Sequence, residues 1–203
     1  MKITRQSIKA LNKAVAVLKE GGVVICPTDT VYGFLAGASN KKAVEKIYKI
    51  KKRPKSKPLP IFVKDIKMAK ELAQIDDRQA KILRKLWPGK YTFILKRKIT
   101  DVRRPELITD VGRPELYGVA KDTVALRIPK HAFLQKLLKK INRPLVQTSV
   151  NISNQKPLSD IDSTVAVFDK NKAIGLVING GSVKRAQPST IIDLTSKHLT
   201  RLR

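Results

Sequence analysis

A short apolar run that leads into a hydroxyl-rich loop constrains this chain more than any other segment. Residues 23–26 read VVIC and follow two glycines, and their β-branched side chains predict a buried strand. The next residues, 27–33, read PTDTVYG and carry hydroxyl groups beside one carboxylate. Open α/β sheets bind their ligands beyond the carboxyl ends of strands. The sequence therefore predicts that this loop belongs to a ligand site, with a plain turn as the alternative.

Segments with helical periodicity alternate with strand-like runs along the chain. Helices are predicted near residues 8–18, 40–50, 66–74, 77–86, 132–141 and 164–168. Strands are predicted near residues 23–26, 58–63, 91–96, 123–128, 144–147, 175–178 and 190–194. This alternation favours an α/β fold with a twisted, mixed sheet and flanking helices. We predict a single domain, residues 1–203, because no linker-like stretch divides the chain.

Three further features bear on organisation and location. Residues 1–5 are interpreted as the start of an amphipathic segment and not as a signal peptide. Residues 98–121 show little apolar periodicity, which favours a mobile basic loop. The lone Cys26 excludes an intrachain disulfide and favours a core position in a reducing compartment. Since no apolar run approaches the roughly 18 residues that cross a membrane, we expect a cytoplasmic protein without membrane contact.

The charge balance of the chain is strongly basic. Its 203 residues include 43 Lys and Arg against 16 Asp and Glu, a formal net charge of +27. Such an excess favours a polyanionic ligand or neighbour. The alternative is a lysine-rich surface that contacts only solvent, and composition does not decide between the two.

Two cations follow the second predicted helix closely. Lys51 lies four residues after Ile47, which places it on the apolar face of that helix at its last turn. Arg53 follows within KKRP, residues 51–54. A guanidinium binds phosphate oxygens in pairs, and an ammonium acts as a point charge. The pattern therefore indicates a phosphate site, with a cationic cap on the helix dipole as the alternative.

The polar loop TSVN, residues 148–151, supplies the neutral part of the same predicted site. The Ser149 hydroxyl and the Asn151 amide complete the hydrogen bonding of a bound phosphate, although an ordinary turn has the same composition. Neither glycine-rich phosphate motif, GxxxxGK[ST] or GxGxxG, occurs in the chain. His131 and His198 stand far apart and outside any metal-ligand or triad spacing, so we expect no protein-held metal and no covalent nucleophile.

Five motifs in a fixed order carry a family resemblance. They are PTDTVYG, KKRP, KPL at residues 57–59, TSVN and STIID at residues 189–193. In this order they resemble the YrdC family, which is known for making threonylcarbamoyl-AMP and pyrophosphate from L-threonine, bicarbonate and ATP. The resemblance implies a sheet wrapped around a large basic cavity. It also implies the short, single-domain form, since no further domain is expected after Arg203.

The resemblance further implies roles for individual residues. Lys51 and Arg53 are expected to act on the phosphates as the catalytic pair. ATP contacts are implied for Arg53, Lys57, Thr123, Ser149, Asn151 and Arg203. Threonine contacts are implied for Thr30, Arg127, Ser189 and Thr190. Magnesium is expected to be held mainly by the phosphates of ATP. Gln187 and Pro188 precede Ser189 where the family usually has a glutamate.

Two alternatives to this synthase function stay open on the sequence. The first is a non-catalytic module that binds double-stranded or structured RNA through the same basic cavity. The net charge of +27 favours this alternative. Aromatic residues, the usual stacking partners of bases, make up only 5% of the chain. The second is a carbamoyl-phosphate-using maturation factor, although its zinc-finger and acylphosphatase segments are not seen. For the synthase, tRNA contact and a downstream threonylcarbamoyl transferase complex are the expected partners.

Overall fold

The computed structural model describes residues 1–98, 115–183, 187–196 and 199–202. Within them the helices are α1 Ile8–Lys19, α2 Lys41–Lys51, α3 Ile66–Leu72, α4 Asp77–Leu86, α5 Ala132–Ile141 and α6 Ile161–Phe168. The strands are β1 Lys2–Arg5, β2 Val23–Cys26, β3 Gly33–Gly37, β4 Ile61–Phe62, β5 Tyr91–Lys96, β6 Thr123–Arg127, β7 Leu145–Ser149, β8 Ile174–Asn179, β9 Thr190–Asp193 and β10 Thr200–Arg201.

The described strands form one mixed sheet in the order β1-β8-β2-β3-β7-β4-β6-β5-β9-β10. The sheet contains parallel pairs such as β4 with β6 and antiparallel pairs such as β3 with β7. The predicted α/β class with a mixed sheet and flanking helices is confirmed. Among the described residues, no helix is long and apolar enough to cross a membrane.

The two faces of the sheet carry separate apolar cores. On one face α1 and α5 pack together, with Leu18 and Leu134 against Leu35 of β3. On the other face α2, α3 and α4 pack against the alternate strand residues, whose side chains point to that face, such as Phe34 of β3. Cys26 is buried in the first core, and burial raises the pKa of its thiol far above the ordinary range. Cys26 is therefore a core residue, as the sequence predicts.

Helix α2 shows how local sequence places the candidate phosphate residues. Asn40 caps it by accepting the N–H of Ala43 at 3.0 Å, as predicted. Its buried stripe includes Ile47 and ends at Lys51, whose residue exposure is 1%. Lys52 then adopts a left-handed conformation with φ of 49°, which ends the helix and turns the chain toward Arg53.

Several predicted boundaries differ from the structure. Residues 1–5, interpreted only as the start of an amphipathic segment, contain strand β1, which pairs in parallel with β8. The strand predicted at residues 58–63 shrinks to β4, since Pro58 and Pro60 have no N–H to donate to a ladder. Strands β3 and β10 lie outside the predicted set.

The predicted mobile loop at residues 98–121 is wrong for its last part. Residues 99–114 lie outside the described residues. Leu116 is 6% exposed, and the Tyr117 N–H donates to the Ala38 carbonyl at 3.0 Å. Leu59 donates its N–H to the Gly118 carbonyl at 2.7 Å. Residues 116–118 therefore belong to the packed body of the molecule.

Candidate active site

A cavity of about 480 Å³ opens on the same face of the sheet as α1 and α5, over the part of that face that these two helices do not cover. Its lining comprises Thr30, Val31, Arg53, Pro58, Pro60, Thr92, Ile94, Ala125, Arg127, Gln147, Thr148, Ser149, Asn151, Gln155, Pro157, Pro188, Ser189 and Ile191. A cavity of about 570 Å³ beside the start of α4 is larger, but it contains none of the predicted site residues. Convergence of separate polar side chains, rather than volume, marks the first as the candidate site.

The loop after β2 is folded tightly by its own hydroxyl groups. Thr28 Oγ1 accepts the N–H groups of Thr30 and Val31 at 2.9 and 3.1 Å and donates to the Val31 carbonyl at 2.7 Å. Its distance to Thr30 Oγ1 is 2.8 Å. These contacts fix Thr30 at the cavity wall, at the strand end where the sequence predicts a ligand site.

Arg127 at the end of β6 is held by a buried ion pair. Its Nη2 lies 2.6 Å from Asp29 Oδ1, and the two side chains are 2% and 8% exposed. Nε donates to the Gly89 carbonyl at 2.9 Å, and Nη1 donates to Thr30 Oγ1 at 3.2 Å. The second Asp29 oxygen accepts the N–H of Lys130 at 2.9 Å. The guanidinium is thereby oriented at the cavity with its charge compensated.

A pair of hydroxyl groups lies across the sheet from Arg127. Thr92 of β5 and Ser189, just before β9, have their oxygens 2.9 Å apart, and both line the cavity. Because Phe93 pairs with Leu126, Thr92 falls in the same cross-strand row as Arg127. We call Asp29, Thr30, Arg127 and the two hydroxyl residues the Arg127 end of the cavity.

Lys51 lies behind the opposite wall. Its Nζ donates to the Ser149 carbonyl at 2.6 Å, to the Asn151 carbonyl at 3.0 Å and to Asn151 Oδ1 at 2.7 Å. An ammonium has three protons, so these acceptors use all of them. Burial, followed by the nearby Arg53 charge, lowers the pKa of Lys51 to about 7. Lys51 therefore reaches the cavity only through the residues that it holds.

Three side chains do face the cavity at this wall. Ser149 donates its hydroxyl to Asn151 Oδ1 at 2.7 Å, and Asn151 donates its amide to the Gln155 carbonyl at 2.6 Å. The Arg53 guanidinium is fixed by the carbonyls of Lys57 and Pro58, at 3.0 and 2.9 Å. Burial lowers the pKa of Arg53. We call Arg53, Ser149 and Asn151, with Lys51 behind them, the Arg53 end.

The predicted site residues divide into three groups. The structure brings a first group together around the cavity, namely Thr30, Arg53, Arg127, Ser149, Asn151 and Ser189. A second group does not line it, namely Lys51, Lys57, Thr123 and Thr190. Thr123 shares the strand face of Ala125 but lies at the outer end of β6, and Thr190 alternates with the lining residue Ile191. Lys57 is exposed and contributes its carbonyl. Arg203 lies outside the described residues.

Sequence reasoning missed three residues of this site. Asp29 stands inside the motif PTDTVYG, so its position was visible but its partner, 98 residues away, was not. Thr92 and Gln147 lie within strands, where period-two alternation with apolar neighbours was the available signal. Such alternation marks a strand face and does not by itself indicate a cavity.

The described lining of the cavity suits anionic ligands. Its lining includes two guanidinium groups and no carboxylate among the described residues. Within the same part of the chain, no three His, Cys, Asp or Glu side chains cluster as metal ligands. Fixed cations and neutral donors of this kind bind carboxylates and phosphates and stabilise charge that develops on them.

Comparison with known proteins identifies the family. Residues 16–203 match the Sua5/YciO/YrdC family, whose description is telomere recombination. This chain belongs to that family. A protein of Methanocaldococcus jannaschii is 37% identical over 187 residues, which cover 90% of this chain and 79% of the relative.

Three further matches connect the chain to named proteins. The threonylcarbamoyl-AMP synthase of Pyrococcus abyssi is 34% identical over 90% of this chain, which spans only 50% of that relative. The crystal structure of P. abyssi Sua5 complexed with L-threonine superposes with a TM-score of 0.83 at 29% identity, over 100% of this chain and 56% of that one. The crystal structure of Escherichia coli YciO gives 0.81 at 25% identity, over 100% and 92%.

Proposed function

We propose that this protein makes threonylcarbamoyl-AMP and pyrophosphate from L-threonine, bicarbonate and ATP. One observation carries the proposal: a single cavity holds an arginine paired with a carboxylate at one end and, among the described residues, a cationic wall without a carboxylate partner at the other. Relatives named threonylcarbamoyl-AMP synthase and a related structure with bound L-threonine support it. The chain spans about half the length of the P. abyssi relative.

In this proposal L-threonine binds at the Arg127 end. The guanidinium faces the amino-acid carboxylate, and the hydroxyls of Thr30 and Ser189 supply further hydrogen bonds. Asp29 compensates the arginine, so the subsite stays close to neutral and fits a zwitterion.

ATP phosphates bind at the Arg53 end in the same proposal. Arg53, Ser149 and Asn151 face the phosphoryl oxygens, and Lys51 acts as a positioning residue that holds the backbone of both Ser149 and Asn151. Magnesium enters with ATP and is bound by the phosphates and water.

The reaction needs positioning more than covalent help from the protein. The threonine amine and bicarbonate form a carbamate and release water. A carbamate oxygen then attacks the α-phosphorus, the bond from that phosphorus to the bridging oxygen breaks, and pyrophosphate leaves with the electron pair. Negative charge grows on phosphoryl oxygens and the leaving group, which the cations of the Arg53 end stabilise. The product is consumed by a transferase complex that acts on tRNA.

Radiolabelled bicarbonate tests the proposal directly. The protein, ATP, magnesium and labelled bicarbonate are incubated with threonine, serine, valine or no amino acid, and labelled product and pyrophosphate are measured. Both are expected to depend on threonine. Equal pyrophosphate release with and without threonine contradicts the assignment, and higher turnover with carbamoyl phosphate favours the maturation-factor alternative.

A second experiment separates the enzyme from the RNA-binding alternative. Arg53→Ala is expected to abolish ATP binding and leave any binding of structured RNA unchanged. Arg84→Ala, on the exposed side of α4, is the matched control for charge. If Arg53→Ala loses RNA binding together with ATP binding, and Arg84→Ala loses neither, the RNA-binding module is favoured.

A further inference from the structure

Gln147 is a buried polar residue in the cavity that the reaction scheme above does not use. It lies on β7, is 7% exposed and lines the cavity. Its side-chain amide has no hydrogen-bond partner among the residues that the structure describes. Because Gln147 lines the cavity, its amide can donate to, or accept from, a ligand that enters there.

Strand register places Gln147 between the two ends of the cavity. Phe62 of β4 pairs with both Arg127 of β6 and Leu145 of β7, so these three residues form one cross-strand row. Gln147 lies two residues along β7 from Leu145, and Ser149 lies two residues further on the same face. Each step of two residues is about 7 Å. Gln147 is therefore midway between the row of Arg127 and the row of Ser149.

The surroundings of the amide fix its position. The backbone N–H of Gln147 donates to the Pro60 carbonyl at 2.8 Å. Its Nε2 lies 2.7 Å from the place that a Cβ on Gly33 would occupy. A glycine at the start of β3 thus lets the amide pack under the loop after β2. The group is held at the cavity wall and does not need to swing in from solvent.

We propose that the Gln147 amide hydrogen-bonds the carbamate formed on the substrate amine, which rests on the function proposed above. With the amino-acid carboxylate at Arg127 and the α-phosphate near Ser149, the new carboxylate-like group must lie between them. The amide N–H donates to one carbamate oxygen, which leaves the other oxygen to attack phosphorus. A cation here would weaken that nucleophile, and a carboxylate would repel it, so a neutral donor suits the position.

Gln147→Leu tests this assignment because it removes the amide at similar size. We expect kcat/KM for bicarbonate to fall about 10- to 100-fold, the scale of one hydrogen bond to a charged group. Binding of threonine and of a non-hydrolysable ATP analogue, measured by calorimetry, is expected to change less than about twofold, because neither contact involves the amide. Gln74→Leu makes the same exchange at an exposed position outside the cavity.

Gly33→Ala provides a second variant that displaces the amide without removing it. The added methyl group would meet Nε2, the flexible end of the side chain, so the fold is expected to survive. Its loss of kcat/KM for bicarbonate is expected to be smaller than that of Gln147→Leu. Adding Gly33→Ala to Gln147→Leu is expected to cause no further loss, because the amide is already gone. If Gly33→Ala lowers kcat/KM by the same factor in the wild type and in the Gln147→Leu background, the proposal is contradicted.

Three results overturn the assignment, and they are distinguishable. Unchanged bicarbonate kinetics in Gln147→Leu, with normal wild-type turnover, rejects the role of Gln147 alone. A matching loss of threonine affinity shows that the amide contacts the amino acid instead of the carbamate. Absence of threonine-dependent pyrophosphate from the wild type rejects the proposed function and, with it, this role.

Discussion

The two ends of the cavity both present cations, yet they differ in how the charge is compensated. At the Arg127 end, the guanidinium has the Asp29 carboxylate 2.6 Å away in a buried ion pair. At the Arg53 end, the hydrogen bonds of Lys51 and Arg53 go to neutral oxygens in the part of the chain that is described. The first end is locally neutral and the second keeps positive charge. That difference matches a zwitterionic amino acid on one side and a polyphosphate on the other.

Breaking the ion pair of the Arg127 end is expected to have the largest effect. Arg127→Met removes the guanidinium and leaves the Asp29 carboxylate buried without its cation. Loss of one partner of a buried pair costs about 3–5 kcal/mol of unfolding free energy. Chemical denaturation measures the loss, and threonine-dependent turnover is expected to disappear.

A double variant controls for this result. Arg127→Met with Asp29→Asn removes both charges, so most of the lost stability is expected to return while turnover stays absent. Equal instability of the single and double variants would show that packing of the arginine side chain, and not its charge, stabilises that end.

Removing the buried cation of the Arg53 end is expected to affect turnover more than stability. Lys51→Met deletes the ammonium that holds the Ser149 and Asn151 backbone, so kcat is expected to fall about 100-fold, the scale of one preorganised contact. Lys49→Met, exposed on the same last turn of α2, is the matched control. Near-normal kcat, with a loss of about 0.3–1 kcal/mol in the free energy of unfolding, would show that Lys51 only caps the helix dipole.

The same lysine gives the stability a pH dependence. Its pKa is about 7 in the folded protein because of burial, against about 10.4 for an unfolded lysine. Between these values the unfolded chain binds more protons, so stability rises with pH, by at most about 1.4 kcal/mol per pH unit. The unfolding free energy of the wild type, relative to that of Lys51→Met, is therefore expected to rise as the pH increases from 7 toward 10. Parallel curves for the two proteins would contradict the lowered pKa.

Local sequence patterns accounted for what is local in this structure. The spacing of Ile47 and Lys51 placed a lysine on the apolar face of α2, and Lys51 is indeed buried. Helices α4 and α5 have their predicted bounds, because caps and apolar periodicity coincide there. The packing of residues 116–118 was missed because it depends on backbone hydrogen bonds to residues distant in the sequence.

The pairing of distant residues was beyond sequence reasoning. Asp29 and Arg127 are 98 residues apart, and Lys51 and Asn151 are 100 apart, so neither partnership follows from any local period. The compensation of Arg127, and the placement of Lys51 behind the cavity wall, depend on the sheet order. Strand β3 escaped prediction because GFLAG is short and begins and ends with glycine.

The smallest expected effect separates geometry from charge at the Arg53 end. Arg53 donates Nε and Nη2 to the Lys57 and Pro58 carbonyls, so its planar group is fixed where it lines the cavity. A lysine keeps the charge but cannot bind both carbonyls and a phosphate together. Arg53→Lys is therefore expected to weaken binding of an ATP analogue by about three- to tenfold.

Salt completes this test, because screening acts on charge and not on hydrogen-bond geometry. Titrations of wild type and Arg53→Lys at two salt concentrations are expected to give parallel lines, displaced by the lost guanidinium contacts. Arg84→Lys, on the exposed side of α4, is expected to overlie the wild type. If Arg53→Lys instead binds normally at both concentrations, the Arg53 end attracts phosphate through charge alone, and its fixed geometry has no part in the contrast with the Arg127 end.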